Sequence, residues 1–149
     1  MSQAAEPTIP EVSNIEVLYN KTVQVLRGLS LSVPRGEVVA LLGSNGAGKS
    51  TTLKAVSRLL EIEDGAVTGG AIRFNGRDIA TFAPHALVRS GLFHVMEGRR
   101  IFEDLTVEEN LTAATFARGG RAARPNSFDI VFEYFPRRYE RRTGLAGYL

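Results

Sequence analysis

The chain has 149 residues, with 18 Lys and Arg against 16 Asp and Glu for a net charge of +2, no cysteine and two histidines. That length suits one ordinary domain, and the near balance of charge points to neither nucleic acid nor lipid as a bulk partner. The missing cysteines exclude disulfides and thiolate metal sites, and His85 and His94 cannot make a metal site unaided, so both are read as structural.

The opening "MSQAAEPTIPEVS" lacks a basic start and an apolar run, so residues 1–11 read as a flexible tail rather than a leader. From residue 14 to 42, short β-branched and Leu-rich runs ("NIEVLY", "TVQVLRGLSLSV", "VVALL") alternate with turn signals, which predicts a small antiparallel β region feeding a strand. Residues 38–42 are apolar throughout and do not alternate, the pattern of a parallel strand covered on both faces. At five residues this longest apolar run is far short of the roughly 20 that a membrane span needs. After the loop "GSNGAGKS", Leu53, Val56, Leu59 and Leu60 recur at helical spacing, predicting a helix over 49–60.

In "AIRFNGRDI", Asn75-Gly76 between extended residues predicts a hairpin with a type I′ turn. "PHALVRSG" predicts a short helix from Pro84 that stops before Gly91, and "LFHVM" (92–96) a second buried strand that holds His94. "TVEEN" fits a capping box of Thr106 and Glu109 opening a helix through Phe116. Residues 117–126 read as a flexible basic loop. Residues 128–139 follow as a helix whose apolar stripe is Ile130, Val131, Tyr134 and Phe135, ended or kinked at Pro136.

Residues 43–50 match G-x-x-x-x-G-K-[ST] between a strand and an amphipathic helix, the context that gives this pattern meaning. Gly43, Gly46 and Gly48 let successive backbone N–H groups turn inward as an anion nest at the positive end of the helix. Lys49 can then bridge the β- and γ-phosphates of a nucleotide while the Ser50 hydroxyl ligates Mg²⁺.

The order of Tyr19, "LRGLSLSVPRGEVVALLGSNGAGKSTTLKAVSRLL", "GAIRFNGRDI" and "FEDLTVEENL" resembles the ATP-binding subunit of an ABC transporter. The form "EGRRIFEDLTVEENL" is most similar to the ATP-binding proteins of branched-chain amino acid importers. The likeness runs from about residue 12 to 149 and is weakest over 119–126. It implies an α/β fold, the N-terminal portion of a P-loop NTPase: an ATP-binding core over 12–100 with an antiparallel β subdomain, P-loop strand and helix, then a partial helical subdomain over 101–149.

Carried over by position, the resemblance implies that Tyr19 stacks on adenine and that Gly43, Ser44, Asn45, Gly46, Ala47, Gly48, Lys49, Ser50 and Thr51 hold the phosphates and Mg²⁺ of ATP. Glu97 falls where most of the superfamily has a glutamine that helps coordinate Mg²⁺ and couples hydrolysis to the membrane partner; Lys49 and Glu97 are the catalytic candidates, Ser50 and Glu97 the metal candidates. A carboxylate is a stronger Mg²⁺ ligand than an amide but cannot donate to the γ-phosphate or to water, and the branched-chain subgroup commonly shows this Glu. Arg99 and Arg100 are basic residues beside this loop, facing phosphate, a partner chain or water.

The implied partners are transmembrane permease subunits, met through residue 97 and the helical subdomain, a second ATP-binding subunit in a head-to-tail dimer, and indirectly a solute-binding protein, with no nucleic acid. The implied location is cytoplasmic, peripheral on the inner face of the membrane. The signature motif, the Asp-Glu strand and the switch histidine that such an ATPase needs are not found in the sequence, and Leu149 falls at the first letter of the signature. The chain is therefore expected to be truncated, marginally stable, weak in ATP binding and inactive alone. Urea or amide importers, a non-transport ABC ATPase and a regulatory nucleotide-binding module are the alternatives.

Overall fold

The computed structural model describes residues 8–98, 100–115 and 124–148. They form two compact units, Met1–His94 and Val95–Leu149.

The first unit is built on an antiparallel sheet of β1 (Thr8–Tyr19), β2 (Val23–Pro34), β3 (Gly65–Phe74) and β4 (Arg77–Asp78), in the order β2-β1-β3-β4. Pairing begins with Thr8 opposite Pro34, so the sheet takes up residues 8–11, which the sequence placed in the tail. The reason is apolar: Ile9 packs against the core. Val12, Ile15 and Val17 are all buried, although strict alternation would put Val12 and Ile15 on opposite faces. Irregular register between them, with Asn14 at φ 50°, returns both to the inner face.

Tight connections close both hairpins, three residues between β1 and β2 and two between β3 and β4. Asn20 (φ 49°) and Lys21 (φ 60°) join β1 to β2, with Thr22 N–H donating to Tyr19 O at 3.1 Å, and Asn75 (φ 50°) with Gly76 (φ 75°) joins β3 to β4 as the sequence predicts.

Helix α1 (Lys49–Val56) lies on this sheet by a face of small residues, Thr52 and Ala55, while Leu53 of the expected stripe is exposed. The helix also stops four residues short of the expected 60. Ser57 Oγ donates back to Leu53 O at 2.8 Å. Arg58 then takes a left-handed φ of 57°, its guanidinium held by the carbonyls of Ala80 and Phe82 and by Glu61. A single 3₁₀ turn, Leu60–Glu63, leads into β3 and buries Leu60. Helix α2 (Pro84–Arg89), with Pro at its first turn, buries Leu87 in the same core.

Two sequence expectations fail here for one reason. Residues 38–42 and 92–96 are not strands, and among the described residues neither run pairs with another. Val38 is 94% exposed, Leu42 88% and Val95 92%. An apolar run becomes an interior strand only when neighbours supply its ladder and cover both faces. His94 accordingly sits on an unpaired segment and not in the expected strand, its Nδ1 2.9 Å from Ser57 Oγ.

In the second unit, α3 (Val107–Ala114) opens with the expected capping box, and its C-cap is Thr115. The expected end at Phe116, and residues 117–123 of the basic loop, lie outside the described residues. Arg124–Asn126, also expected in that loop, instead open α4 (Arg124–Tyr134). Pro136 breaks the helix as predicted, Phe135 leaving helical geometry before α5 (Pro136–Glu140). The expected stripe is corrected: Ile130, Tyr134 and Phe135 are exposed, whereas Phe132 packs edge-on against Phe128 and Tyr139, with centroids 6.5 and 5.3 Å away.

Candidate functional site

The loop between residue 43 and α1 has a conformation that its sequence dictates. Ala47 N–H donates to Ser44 O at 3.2 Å, closing a turn over Asn45 and Gly46. Gly46 at φ 84° and Gly48 at φ 86° sit in the left-handed region that favours glycine. A Cβ on Gly46 would meet nothing within 4 Å, so that side of the loop is open. On Gly48 it would lie 2.5 Å from Leu26 Cδ2, so the loop presses against β2 there.

Gly48 is the N-cap of α1 and offers no side-chain cap, and the first turn carries no acidic residue. The N–H groups that begin a helix need outside acceptors, and together with the helix dipole they favour an anion. The buried Thr52 hydroxyl donates to Gly48 O at 2.9 Å beside the helical N–H of the same residue at 2.8 Å, fixing the last loop peptide.

Lys49 folds its side chain back over the loop. Its Nζ donates to Gly43 O at 2.8 Å and to Ser44 O at 2.7 Å. An ammonium has three N–H donors, so one remains without a partner among the described residues and is available to an anion in the loop. Ser50 is exposed and Thr51 half-buried on the first turn of α1. This donor set fits a phosphate: fixed backbone N–H groups, one ammonium, and no competing carboxylate in the first turn. For Mg²⁺ the loop offers the Ser50 hydroxyl, and a cation of this kind is commonly held by few protein ligands together with phosphate oxygens and water. Among the described residues no cluster of three or more His, Cys, Asp or Glu could hold a metal by itself.

Tyr19 ends β1, and its ring lies over Gly65, where an added Cβ would be 2.8 Å from Cε1. The ring is half-buried against the core. Glu97 belongs to the second unit, exposed in a bend, and its backbone O accepts from Arg100 Nε at 3.4 Å. Arg99 lies outside the described residues.

Sequence reasoning did not single out Thr52 or Asn110. Thr52 has a local signal, a hydroxyl four residues after the loop's last glycine, where back-bonding to that carbonyl is expected. Asn110 has none. Its Oδ1 accepts from Phe102 N–H at 2.9 Å while Nδ2 donates to Phe102 O at 2.9 Å, Leu105 O at 3.3 Å and Thr106 O at 3.0 Å, which ties the loop before α3 to the helix.

On the same loop, Ala146 N–H donates to Leu105 O at 2.9 Å and Gly147 N–H to Glu103 O at 3.2 Å, so Ala146 is buried. The Thr106 hydroxyl and N–H both bond the Glu109 carboxylate, at 2.8 Å each, and hold its pKa below the ordinary carboxylate value, the backbone bond contributing most.

Residues 26–145 match the protein family described as ABC transporter. The chain is similar to the high-affinity branched-chain amino acid transport ATP-binding protein BraG of Pseudomonas aeruginosa, 36% identical over 137 residues, which are 87% of this chain and 54% of that protein. It is also 35% identical over 112 residues to the phosphonates import ATP-binding protein PhnC of Alcaligenes faecalis, covering 74% of this chain and 39% of that one. A solved ATP-binding subunit of an ABC transporter superposes with a TM-score of 0.76 at 32% identity, covering 93% of this chain and 54% of that chain. The chain thus spans about half or less of the length of these relatives.

Proposed function

The chain belongs to the ABC transporter family, and we propose that its part is to hold ATP for an importer of branched-chain or other amino acids. The observation that carries this reading is the loop itself: open at Gly46, uncapped at α1, and spanned by Lys49 with one ammonium N–H unpaired among the described residues. Backbone N–H groups of Gly43, Ser44, Asn45, Gly46 and Gly48 and the N–H and hydroxyl groups of Ser50 and Thr51 would hold the phosphates, with Ala47 N–H engaged by Ser44 O and shaping the loop. Lys49 counters their charge, and Ser50 meets the cation. Mg²⁺, when bound, screens the phosphate charge and fixes its geometry.

Tyr19 supplies an aromatic face for adenine and Glu97 a carboxylate for the cation, as the family resemblance implies. Hydrolysis, permease subunits that meet residue 97 and the second unit, a dimer partner, a solute-binding protein, and a place on the inner face of the membrane belong to this proposal. In the chain's favour, BraG is named for branched-chain amino acid transport. PhnC is named for phosphonates, so an importer of another solute, urea or amides among them, is the second reading.

Spanning about half its relatives, and with no Asp-Glu pair in its sequence, the chain alone is expected to bind ATP weakly and not to turn it over. Equilibrium binding of a fluorescent ATP analogue with and without Mg²⁺ tests the first point. Weak, Mg²⁺-sensitive binding that Lys49→Ala removes is expected, and binding indifferent to Lys49→Ala overturns it. Phosphate release well above background, lost in Lys49→Ala, would overturn the second.

A further inference from the structure

The end of the second unit carries a charged surface that nucleotide binding does not use. Arg137, Arg138, Arg141 and Arg142 stand within six residues, with Glu140 as the one acid among them. Arg137 and Arg138 lie in α5, whereas Arg141 is its C-cap and Arg142 stands in the turn that follows. Arg142 is pinned, its Nη1 donating to Tyr139 O at 2.9 Å and its guanidinium 4.0 Å above the Tyr139 ring. Among the described residues none of the four arginines forms an ion pair; the two salt bridges, Lys54–Glu63 and Arg58–Glu61, both lie in the first unit.

Beside the arginines lies a mixed surface, in which Asp129 and Glu133 of α4 are exposed alongside apolar side chains. On α4, Phe128 and Phe132 pack inward, and helical spacing puts Ile130 and Tyr134 on the opposite side. Tyr134 is 76% exposed, and Ile130 and Phe135 are more than half exposed.

We propose that the arginine cluster at the end of α5, with Tyr134 and Phe135 beside it, docks directly on the surface of an anionic phospholipid bilayer. A cluster of four arginines is the size at which juxtamembrane basic segments bind acidic headgroups. Guanidinium forks pair with phosphate oxygens in two-pronged fashion, and aromatic rings settle at headgroup depth. Contact is superficial, since among the described residues no helix is long and apolar enough to cross a membrane. A strand of nucleic acid is the less favoured ligand. It is tracked by charge along a groove, whereas this charge is confined to one short stretch of a chain with a net charge of +2, beside an aliphatic side chain suited to acyl boundaries.

Flotation of the purified chain with phosphatidylcholine vesicles, with and without phosphatidylglycerol, tests the proposal independently of the nucleotide site. Partition is expected to rise with the anionic lipid and to fall as salt is raised. Replacing Arg137, Arg138 and Arg141 together by Gln is expected to lower it about a hundredfold, about fivefold for each. The triple Lys variant keeps the charge and should keep most of the binding, which separates lost contact from lost fold. Equal partition onto neutral vesicles, a salt-independent partition, or an undiminished Gln variant would each overturn the proposal. So would displacement from vesicles by single-stranded RNA at matched phosphate concentration.

Discussion

Alanine at the loop's two left-handed glycines should destabilise the chain by different amounts, because the positions share a backbone conformation and differ in what lies beside them. Gly46 and Gly48 have φ of 84° and 86°. A residue with a Cβ pays about 1–2 kcal/mol to stay there. At Gly46 nothing stands within 4 Å of the new methyl, so Gly46→Ala should cost that strain and no more.

At Gly48 the methyl would lie 2.5 Å from Leu26 Cδ2, and Leu26 is buried in the core at 4% exposure, with nowhere to swing. Overpacking of this kind adds about 1–3 kcal/mol, giving roughly 2–5 kcal/mol in total. Urea titration followed by far-ultraviolet circular dichroism, with midpoints compared at equal slope, measures both. A double-mutant cycle isolates the clash, since in a Leu26→Ala background Gly48→Ala should cost only the strain, a coupling of about 1–3 kcal/mol. Equal losses at the two glycines, or no coupling to Leu26, would refute the packing account.

Two further outcomes concern the second unit. Asn110→Ala removes four hydrogen bonds from the loop before α3, and should cost about 1–3 kcal/mol of local stability, read as faster amide exchange at Phe102. The Glu109 carboxyl is held below its ordinary pKa by Thr106. A group lowered on folding binds fewer protons than in the unfolded chain, so its contribution is fully present above the ordinary carboxylate range and is lost as pH falls through the lowered value. Acid titration of the α3 amides should show this loss in the native chain and not in Glu109→Gln.

Much of the site was legible because its determinants are local. Gly46, Gly48 and Lys49 set the loop by their own backbone freedom and side-chain length, Asn75-Gly76 sets a turn within itself, and Thr106 caps α3 with Glu109, three residues further along the chain. What misled depends on distant partners. Residues 38–42 and 92–96 read as buried strands because apolar runs are what sheet interiors contain, but a strand needs partners for its ladder, and no described strand flanks either run. α1 ends early through a grip from Arg58 to Ala80 and Phe82, more than twenty residues away, and Asn110 is a polar helix residue until the chain before it folds back.

The loop's two ends are secured by different means, and this sharpens what a lysine substitution measures. The Gly48 end is clamped from both sides, by Leu26 of β2 beneath and the Thr52 hydroxyl above. The Gly43 end follows a segment that pairs with nothing described, and the bonds it receives from α1 are the two from Lys49 Nζ to the carbonyls of Gly43 and Ser44. Lys49→Ala therefore removes a cation and unties the first half of the cradle together. Lys49→Arg keeps the charge on a planar fork that cannot place one nitrogen on both carbonyls in the same way. If charge alone holds the phosphates, Arg should restore nucleotide binding. If the tie matters as the geometry indicates, Arg should bind nearly as poorly as Ala, and amide exchange at Gly43 and Ser44 should quicken equally in both.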